Sequence, residues 1–247
     1  MRYPLTLGVL AAALLSACSN DAATSASSAD ALLNTDVATI TADAAATDVE
    51  LMRGPGGGPF GLGLLARSGH FECNTEDRSG LTITRTCTYK DAAGAIQAVF
   101  DSLTTASVTV HAEVKGDVTR DKWSGTVNRV RDFVVTGLAG KETEITWNGS
   151  GSGTAPRVRV ASDSTTRTYT ITASNTITNV VIPVPRTATS WPKSGTIAKR
   201  VVVKKADGTT TERAVTIQFN GTQFATVTVN GETFAFDLSQ RGRPRRP

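Results

Sequence analysis

The fold class is decided by residues 225–238, which read ATVTVNGETFAFDL. Apolar and polar side chains alternate on both sides of Asn230-Gly231, a dipeptide that favours the two-residue type I′ turn of a β-hairpin. With that turn, Val227 pairs with Phe234 and Ala225 pairs with Phe236, so all four side chains lie on one face. The turn and the side-chain pattern agree, and together they predict an antiparallel hairpin with one buried face.

The same alternation recurs upstream, in residues 108–115, 169–173 and 215–220. We therefore expect residues 67–240 to form a mainly β domain, with antiparallel hairpins building a large twisted sheet, a sandwich or an open barrel. Residues 91–105 are ambiguous, because their apolar side chains have helical spacing while the turn sequence at 91–94 favours a strand over 95–100. We favour the strand.

A faint internal repeat runs through this region at an offset of about 70 residues. Trp123-Ser124-Gly125-Thr126 matches Trp191 with Ser194-Gly195-Thr196, and residues 145–150 match residues 217–222. The repeat predicts units at about 120–160 and 190–238, either as similar hairpins in one sheet or as two small β subdomains. In the first unit, Gly149, Gly151 and Gly153 alternate along a predicted strand. A stripe without side chains is typical of a bulge, a sharp bend or the close approach of another element.

The N-terminus has the pattern of an export signal. Arg2 precedes an apolar run from Leu5 to Leu15 that is too short to cross a bilayer, which needs about 20 residues. The run ends in Leu15-Ser16-Ala17-Cys18, which resembles the lipobox of bacterial lipoproteins. The resemblance implies that residues 1–17 are a signal peptide, cleaved before Cys18, and that lipid on Cys18 attaches the chain to a membrane. Ser19 then implies the outer membrane. The alternative is an ordinary signal with a chance cysteine.

Residues 18–66 are predicted to be a flexible, lipid-anchored tether. They are rich in Ala, Ser, Thr and Asp, and residues 54–63 are mostly Gly and Pro. A short helix near residues 44–52 is an option within it. At the other end, residues 241–247 are predicted to be a basic, disordered tail. Its arginines could instead contact anionic headgroups.

The two remaining cysteines, Cys73 and Cys87, are predicted to form a disulfide. An exported chain reaches an oxidising compartment, where paired cysteines are the default. Both flank the turn-like residues 76–80, and a hairpin there would place them opposite each other. A metal or redox pair is the alternative, but there is no neighbouring cysteine and the spacing is not that of metal ligands.

The sequence contains no recognisable catalytic set, so we do not expect an enzyme, a metal or a cofactor. The two histidines, His70 and His111, lie near Glu72 and Glu113 and are expected at the surface. Trp123, Trp147 and Trp191 recur with the repeat and are candidates to face a ligand, although ordinary core positions explain them too. From Arg67 onward the chain carries 24 basic and 16 acidic residues, a mild excess that does not predict nucleic-acid binding.

The C-terminal two-thirds of the chain, including residues 191–196 and 227–234, resembles uncharacterised β-rich lipoproteins of environmental bacteria, a resemblance that implies no activity. We expect a lipid-anchored protein of the cell envelope with a structural or binding role, whose partners are the membrane and an envelope protein or lipid. One alternative is a carrier of a hydrophobic ligand, such as lipid or lipopolysaccharide, on a curved sheet. Another is a hydrolase with an unrecognised site.

Overall fold

The computed structural model describes residues 21–53, 63–64, 71–73, 76–78, 80–139, 142–161, 165–184, 190–239 and 244–245. In these ranges a single helix, α1 (Asp21–Arg53), precedes all the strands. The strands are β1 (Gly63–Leu64), β2 (Phe71–Glu72), β3 (Glu76–Arg78), β4 (Leu81–Asp91), β5 (Ile96–Gln97), β6 (Thr105–Thr119), β7 (Trp123–Thr136), β8 (Glu144–Ala161), β9 (Thr166–Pro183), β10 (Ser194–Lys205), β11 (Thr210–Gln218), β12 (Phe224–Val229), β13 (Glu232–Asp237) and β14 (Pro244–Arg245).

The strands from β3 to β14 form one antiparallel sheet, and β1 and β2 form a separate pair. From β6 to β13 each strand pairs with the next strand along the chain. β6 also pairs with β4, and β5 pairs only with β4. The two end strands, β3 and β14, do not pair with each other, so the sheet is open. The prediction of a mainly β, antiparallel fold is confirmed, and among the three expected forms the chain adopts a single large open sheet.

The hairpin of residues 225–238 has the predicted register. Val227 pairs with Phe234 and Ala225 pairs with Phe236 across β12 and β13, and all four side chains are buried. Asn230 and Gly231 have φ angles of 46° and 89°, as a type I′ turn requires. The alternation of buried and exposed residues continues across the sheet, which therefore has an inner face and a solvent face.

Helix α1 is the largest difference from the sequence-based expectation. A flexible tether over residues 18–66 is wrong for Asp21–Arg53, because these residues form a helix in which 36–49 are all buried. A helix buried on every side needs contacts all around it, and the inner face of the sheet supplies them by curving around the helix. Its buried threonines satisfy their hydroxyls within the helix, as when Thr41 Oγ1 donates to the Val37 carbonyl at 2.7 Å.

The structure describes the predicted signal peptide, tether and tail only in part. The predicted signal peptide, Cys18 and the Gly/Pro stretch 54–62 lie outside the described residues. In the basic tail, Pro244–Arg245 forms β14 and pairs with Ala235 and Phe236 of β13. This short pairing departs from the expected disorder at those two positions.

The internal repeat does not correspond to two equivalent units. Residues 120–160 contain β7 and β8, whereas residues 190–238 contain the four strands β10 to β13 of the same continuous sheet. Trp147 lies near the start of β8, while its counterpart Phe219 follows the end of β11. The alternative of two β subdomains is therefore wrong, and the matched residues reflect recurring strand and turn chemistry.

Residues 91–105 contain only a short strand. The turn is as expected, with the Gly94 amide donating to the Asp91 carbonyl at 3.0 Å, but the predicted strand over 95–100 is reduced to β5. Ile96, Val99 and Leu103 are 74%, 70% and 80% exposed. Their helical spacing therefore marks neither a helix nor a buried face.

The predicted disulfide between Cys73 and Cys87 is confirmed, with the two Cα atoms 5.8 Å apart. As expected, a hairpin places them together: β3 pairs antiparallel with β4, with Arg78 opposite Leu81. Cys73 and Cys87 both pack against the core. The disulfide thus joins the residue directly after β2 to the long strand β4.

The glycine stripe of β8 lies on the inner face and makes room for arginine side chains. Gly151 pairs with Arg131, and Gly153 pairs with Arg129. A Cβ atom on Gly151 would lie 2.5 Å from the Val130 carbonyl oxygen and 2.7 Å from Arg131 Cδ. Of the three interpretations of this glycine stripe, the close approach of a neighbouring element, here β7, is found along its length. A register shift between Trp147 and Gly149 adds a bulge at its start.

We expect the substitution Gly151→Ala to lower the free energy of unfolding by about 1–3 kcal/mol, because the added methyl group overpacks the space that Arg131 occupies. Ser152→Ala is the matched control, since Ser152 is exposed on the same strand, and should change stability by less than about 0.5 kcal/mol. Urea unfolding of both variants measures the difference. Equal effects would show that the stripe does not accommodate Arg131.

Candidate functional site

A row of polar residues crosses the middle of the inner face. Arg131 on β7 pairs with Gly151 on β8, Gly151 pairs with Asn175 on β9, and Asn175 pairs with Lys199 on β10. Neighbouring strands in a sheet are about 4.8 Å apart. Arg131 and Lys199 therefore flank Gly151 and Asn175, with one cation at each end of the row. We call these four residues the polar row.

Asp48 of α1 lies over the polar row. Arg131 Nε donates to Asp48 Oδ1 at 3.0 Å, and Lys199 Nζ lies 3.7 Å from Asp48 Oδ2. Arg131 also donates from Nη1 to the carbonyls of Val130 and Ser152, at 2.9 and 3.1 Å. All three charged side chains are buried. The pair between Asp48 and Arg131 is therefore well bonded, and it joins the C-terminal part of the helix to the sheet.

Similar pairs hold the helix along its length. Each joins a polar helix residue to a side chain of the sheet or of a strand connection: Asp43 with Arg120 at 3.2 Å, Asp36 with Arg167 at 2.6 and 2.9 Å and with the Tyr169 hydroxyl at 2.8 Å, and Asp30 and Asn34 with Arg213 at 2.7 Å each. For a pair buried on both sides, as Asp48 with Arg131 is, removing one partner leaves an uncompensated charge and costs several kcal/mol. These contacts therefore specify where α1 lies.

The ionisation of the polar row reflects its burial. Burial lowers the pKa of Lys199 to about 8; Asp48 opposes this shift, and Arg131 and Arg129 add to it. For Asp48, burial disfavours the charged form, but Arg131, Lys199 and Arg129 outweigh it and lower the pKa of the carboxyl group. Burial and the charge of Arg131 also lower the pKa of Arg129. Positive charge is therefore in excess around Asp48.

Beside the polar row, a cavity of about 60 Å³ separates α1 from the sheet. It exists because the facing residues are small, namely Ala44 and Thr41 on the helix and Gly153 and Ala173 on the sheet. The rest of the lining is mainly apolar but includes Arg129, Asn175 and Lys199, and also Trp123, which precedes Arg131 by eight residues on β7 and so lies away from Asn175 and Lys199. In this cavity, buried polar groups border free space.

Two hydrogen-bond donors in this cavity have no protein partner. Asn175 Nδ2 and Trp123 Nε1 are both buried and unbonded, in residues that are 7% and 2% exposed. Buried polar groups in folded proteins nearly always have a partner, so such exceptions call for a water or a ligand. These two donors, with the nearby cations, make the cavity the candidate functional site.

Of the three tryptophans considered as ligand-facing, the structure places only Trp123 in the cavity wall. Trp147 is fully buried and packs edge-on against Phe133 with ring centroids 5.5 Å apart. Trp191 is partly buried against the same core. The three indoles that recur with the repeat therefore do not line one site.

The basic residues of the site were not predicted from the sequence, although the sequence pattern contains a signal for them. Arg129 and Arg131 are spaced by two from Val127 and Phe133, and Lys199 is spaced by two from Ile197 and Val201. In a strand this spacing places them on the apolar face. A charged residue at a core position is the observation that would have pointed to a buried partner.

His111 lies on the solvent face, as expected, and its side chain is 45% exposed. Its Nδ1 is 2.7 Å from Asp132 Oδ1, and this hydrogen bond raises the pKa of the imidazole. Glu113 lies 3.8 Å from its Nε2. His70 lies outside the described residues.

The described residues lack both a candidate metal site and a membrane-spanning helix. They contain no cluster of three or more His, Cys, Asp or Glu side chains with the arrangement of a metal site. No helix among them has the length and apolar character needed to cross a membrane.

Comparison with known proteins yields no match: no protein-family model, no curated protein and no solved structure is significantly similar to this chain. The class that the fold and site define is therefore a structural one, an open antiparallel sheet wrapped around a salt-bridged N-terminal helix.

We expect Lys199 to make stability depend on pH between about 8 and 10. The pKa of Lys199 is about 8 in the folded chain and about 10.4 in an unfolded one, so in this interval the unfolded state binds more protons and stability rises with pH. The variant Lys199→Met lacks this rise. Its stability relative to the wild type should therefore fall by about 3 kcal/mol between pH 7 and 10.5.

Urea unfolding at several pH values measures this change. Lys204→Met is the control, because Lys204 is exposed on the same strand and its effect should not vary in this way. A pH-independent difference for Lys199→Met would mean that Lys199 titrates as an ordinary lysine.

Proposed function

We propose that this chain is a lipid-anchored protein of the bacterial envelope with a binding role, held at the membrane through Cys18. The support for anchoring is the sequence Leu15-Ser16-Ala17-Cys18 after a short apolar run. Ser19 favours the outer membrane as its destination. No reaction is part of the proposal.

The observation that carries the proposal is the position of α1. This helix begins three residues after Cys18 and is bound into the sheet from Asp30 to Asp48. An α-helix rises 1.5 Å per residue, so the stretch from Asp21 to Leu33, which is the first buried side chain from residue 28 onward, spans only about 18 Å. A lipid on Cys18 would therefore hold the domain close to the bilayer, whereas a flexible tether would let it range widely.

The ion pairs also orient the domain. Asp43 pairs with Arg120 between β6 and β7, and Asp36 pairs with Arg167 at the start of β9. The β6–β7 and β8–β9 connections lie at the same end of the sheet, because β7 pairs antiparallel with both β6 and β8. Asp36 and Asp43 both lie near the middle of α1, so the middle of the helix is held at that end of the sheet. The β4–β6 connection, with the exposed Ile96 and Leu103, lies at the other end.

Cavity size favours a small ligand or a protein partner over an acyl chain. The free space is about 60 Å³, whereas a cavity of about 150 Å³ is known to hold a single benzene molecule. Helix α1 fills the rest of the concave face. Carriage of a hydrophobic ligand on the curved sheet would require this helix to leave, against the ion pairs that hold it.

Expression of the full chain in a bacterial host with labelled palmitate tests the anchor. We expect the label to be incorporated and the chain to sediment with membranes. We expect Cys18→Ser to lose the label and to remain unprocessed, because the thiol that accepts the lipid is absent. The double variant Cys73→Ser/Cys87→Ser is the control for thiol number and should keep the label. Normal processing and membrane association of Cys18→Ser would refute the proposal.

A further inference from the structure

The connection between β4 and β6 exposes large apolar side chains to solvent. Ile96, Val99 and Leu103 are 74%, 70% and 80% exposed, and no other large apolar side chain in the described ranges is more than half exposed. Single exposed apolar residues are common, but a group of them in one connection is typical of a contact with a partner or a membrane. We call these three residues the apolar tip.

The backbone beneath the apolar tip is held by hydrogen bonds within the connection. The Asp101 carboxylate accepts from the amides of Leu103 and Thr104 at 2.8 and 3.3 Å. The Gln97 amide donates to Thr104 Oγ1 at 2.8 Å, and its oxygen accepts from Thr105 Oγ1 at 2.7 Å. The local fold therefore directs the apolar side chains outward.

Phe100 lies in the same connection but has the opposite environment. Its ring packs edge-on against Tyr89 of β4, with the centroids 6.2 Å apart, and it contacts the core. One apolar side chain of the connection thus fixes it to the sheet while three others stay in solvent. The exposure is a property of three positions and does not extend to every apolar residue of the segment.

The apolar tip offers almost nothing for polar recognition. Residues 92–100 contain no charged side chain, and their one side-chain amide, that of Gln97, is already bonded within the connection. The flanking carboxylates of Asp91 and Asp101 likewise accept from backbone amides of the connection.

These properties suit a lipid bilayer better than a protein. A specific protein interface buries about 800 Å² on each partner and contains about ten hydrogen bonds. Three aliphatic side chains on a narrow connection do not supply that area or those bonds, and the same argument applies to a second copy of this chain. A bilayer requires neither shape complementarity nor polar partners, only apolar surface that can leave water.

We propose that the apolar tip inserts into the interfacial region of the bilayer that holds the lipid on Cys18. The inference rests on the proposed function for the presence of that bilayer. One hydrophobic signal gives marginal membrane binding, and stable attachment takes two. Ile96, Val99 and Leu103 add a signal from the folded domain to the one from the lipid.

Insertion of the apolar tip also sets how the domain lies on the membrane. Near the start of α1, Asp30 is bonded to Arg213 of β11, and β4 lies six strands away from β11 in the sheet. At about 4.8 Å per strand, the two places are separated by about 29 Å along the sheet. Contacts at both edges of the sheet hold the domain in one orientation, whereas a lipid alone lets it rotate.

Tryptophan fluorescence of the full chain in phosphatidylcholine vesicles with brominated acyl chains tests the proposal. Bromine quenches an indole only at short range. We expect Val99→Trp and Leu103→Trp to show a blue-shifted emission and to lose about half of the added fluorescence, because interfacial segments lie about 5–10 Å into the headgroup and acyl boundary. Ser152→Trp is the matched control, since Ser152 is exposed in the middle of β8, and its added fluorescence should not be quenched. The wild-type chain supplies the background of its own three tryptophans.

A second set of variants tests the apolar character of the tip. Adding Ile96→Ser and Leu103→Ser to the Val99→Trp chain removes two of the three insertion points, so we expect the ratio of inserted to free tip to fall at least about tenfold. Val134→Ser in the same Val99→Trp chain is the control, because it removes a 43% exposed aliphatic side chain from β7; quenching should not change. All these positions are exposed, and circular dichroism verifies that each variant keeps its fold.

Equal quenching of Val99→Trp and Ser152→Trp, or no quenching of either, would overturn the proposal. So would a blue shift that grows with protein concentration and ignores bromination, since it would assign the tip to a second copy of the chain. Labelled palmitate on the same preparations separates this inference from the proposed function. A labelled chain with an unquenched tip refutes insertion alone. An unlabelled chain refutes the anchor at Cys18, and quenching of its tip would still support insertion.

Discussion

The pairing of helix carboxylates with basic residues of the inner face is the constraint on which this fold depends. Helix α1 is rich in Ala, Thr and Asp, and in isolation Thr and Asp are poor helix formers. The sheet, for its part, directs Arg131, Lys199 and Arg213 inward, where they could not remain without partners. Each element supplies what the other lacks, so the helix and the sheet are stable together.

This pairing also explains why a cavity bordered by charged residues exists in the core. Long arginine side chains need space above the sheet, and the glycines of β8 provide it. Where the small residues Gly153 and Ala173 face Ala44, the space is not filled. The same small residues that admit the ion pairs therefore leave a pocket bordered by charge. A core held by apolar packing alone would have closed around such a gap.

Much of the sheet could be predicted, because strand pairing between neighbours is encoded locally. The Asn230-Gly231 turn and the alternation around it gave the register of β12 and β13, and the turn near Gly80 anticipated the disulfide of Cys73. The candidate site could not be predicted in the same way. Arg131 and Lys199 were visible as charges at core positions, but nothing near them in sequence identifies Asp48 as their partner.

The sequence by itself determined the antiparallel hairpin pattern, the register of β12 with β13 and the cysteine pair, since each joins residues close together in sequence, at most 14 positions apart for the cysteines. Only the tertiary structure decided that Asp21–Arg53 is a buried helix and which cations it meets. Asp48 and Arg131 are 83 residues apart, and Asp36 and Arg167 are 131 apart. The physical reason is that this helix has no apolar stripe to mark a buried side. Its burial depends on charges from several strands that come together only when the sheet has curved.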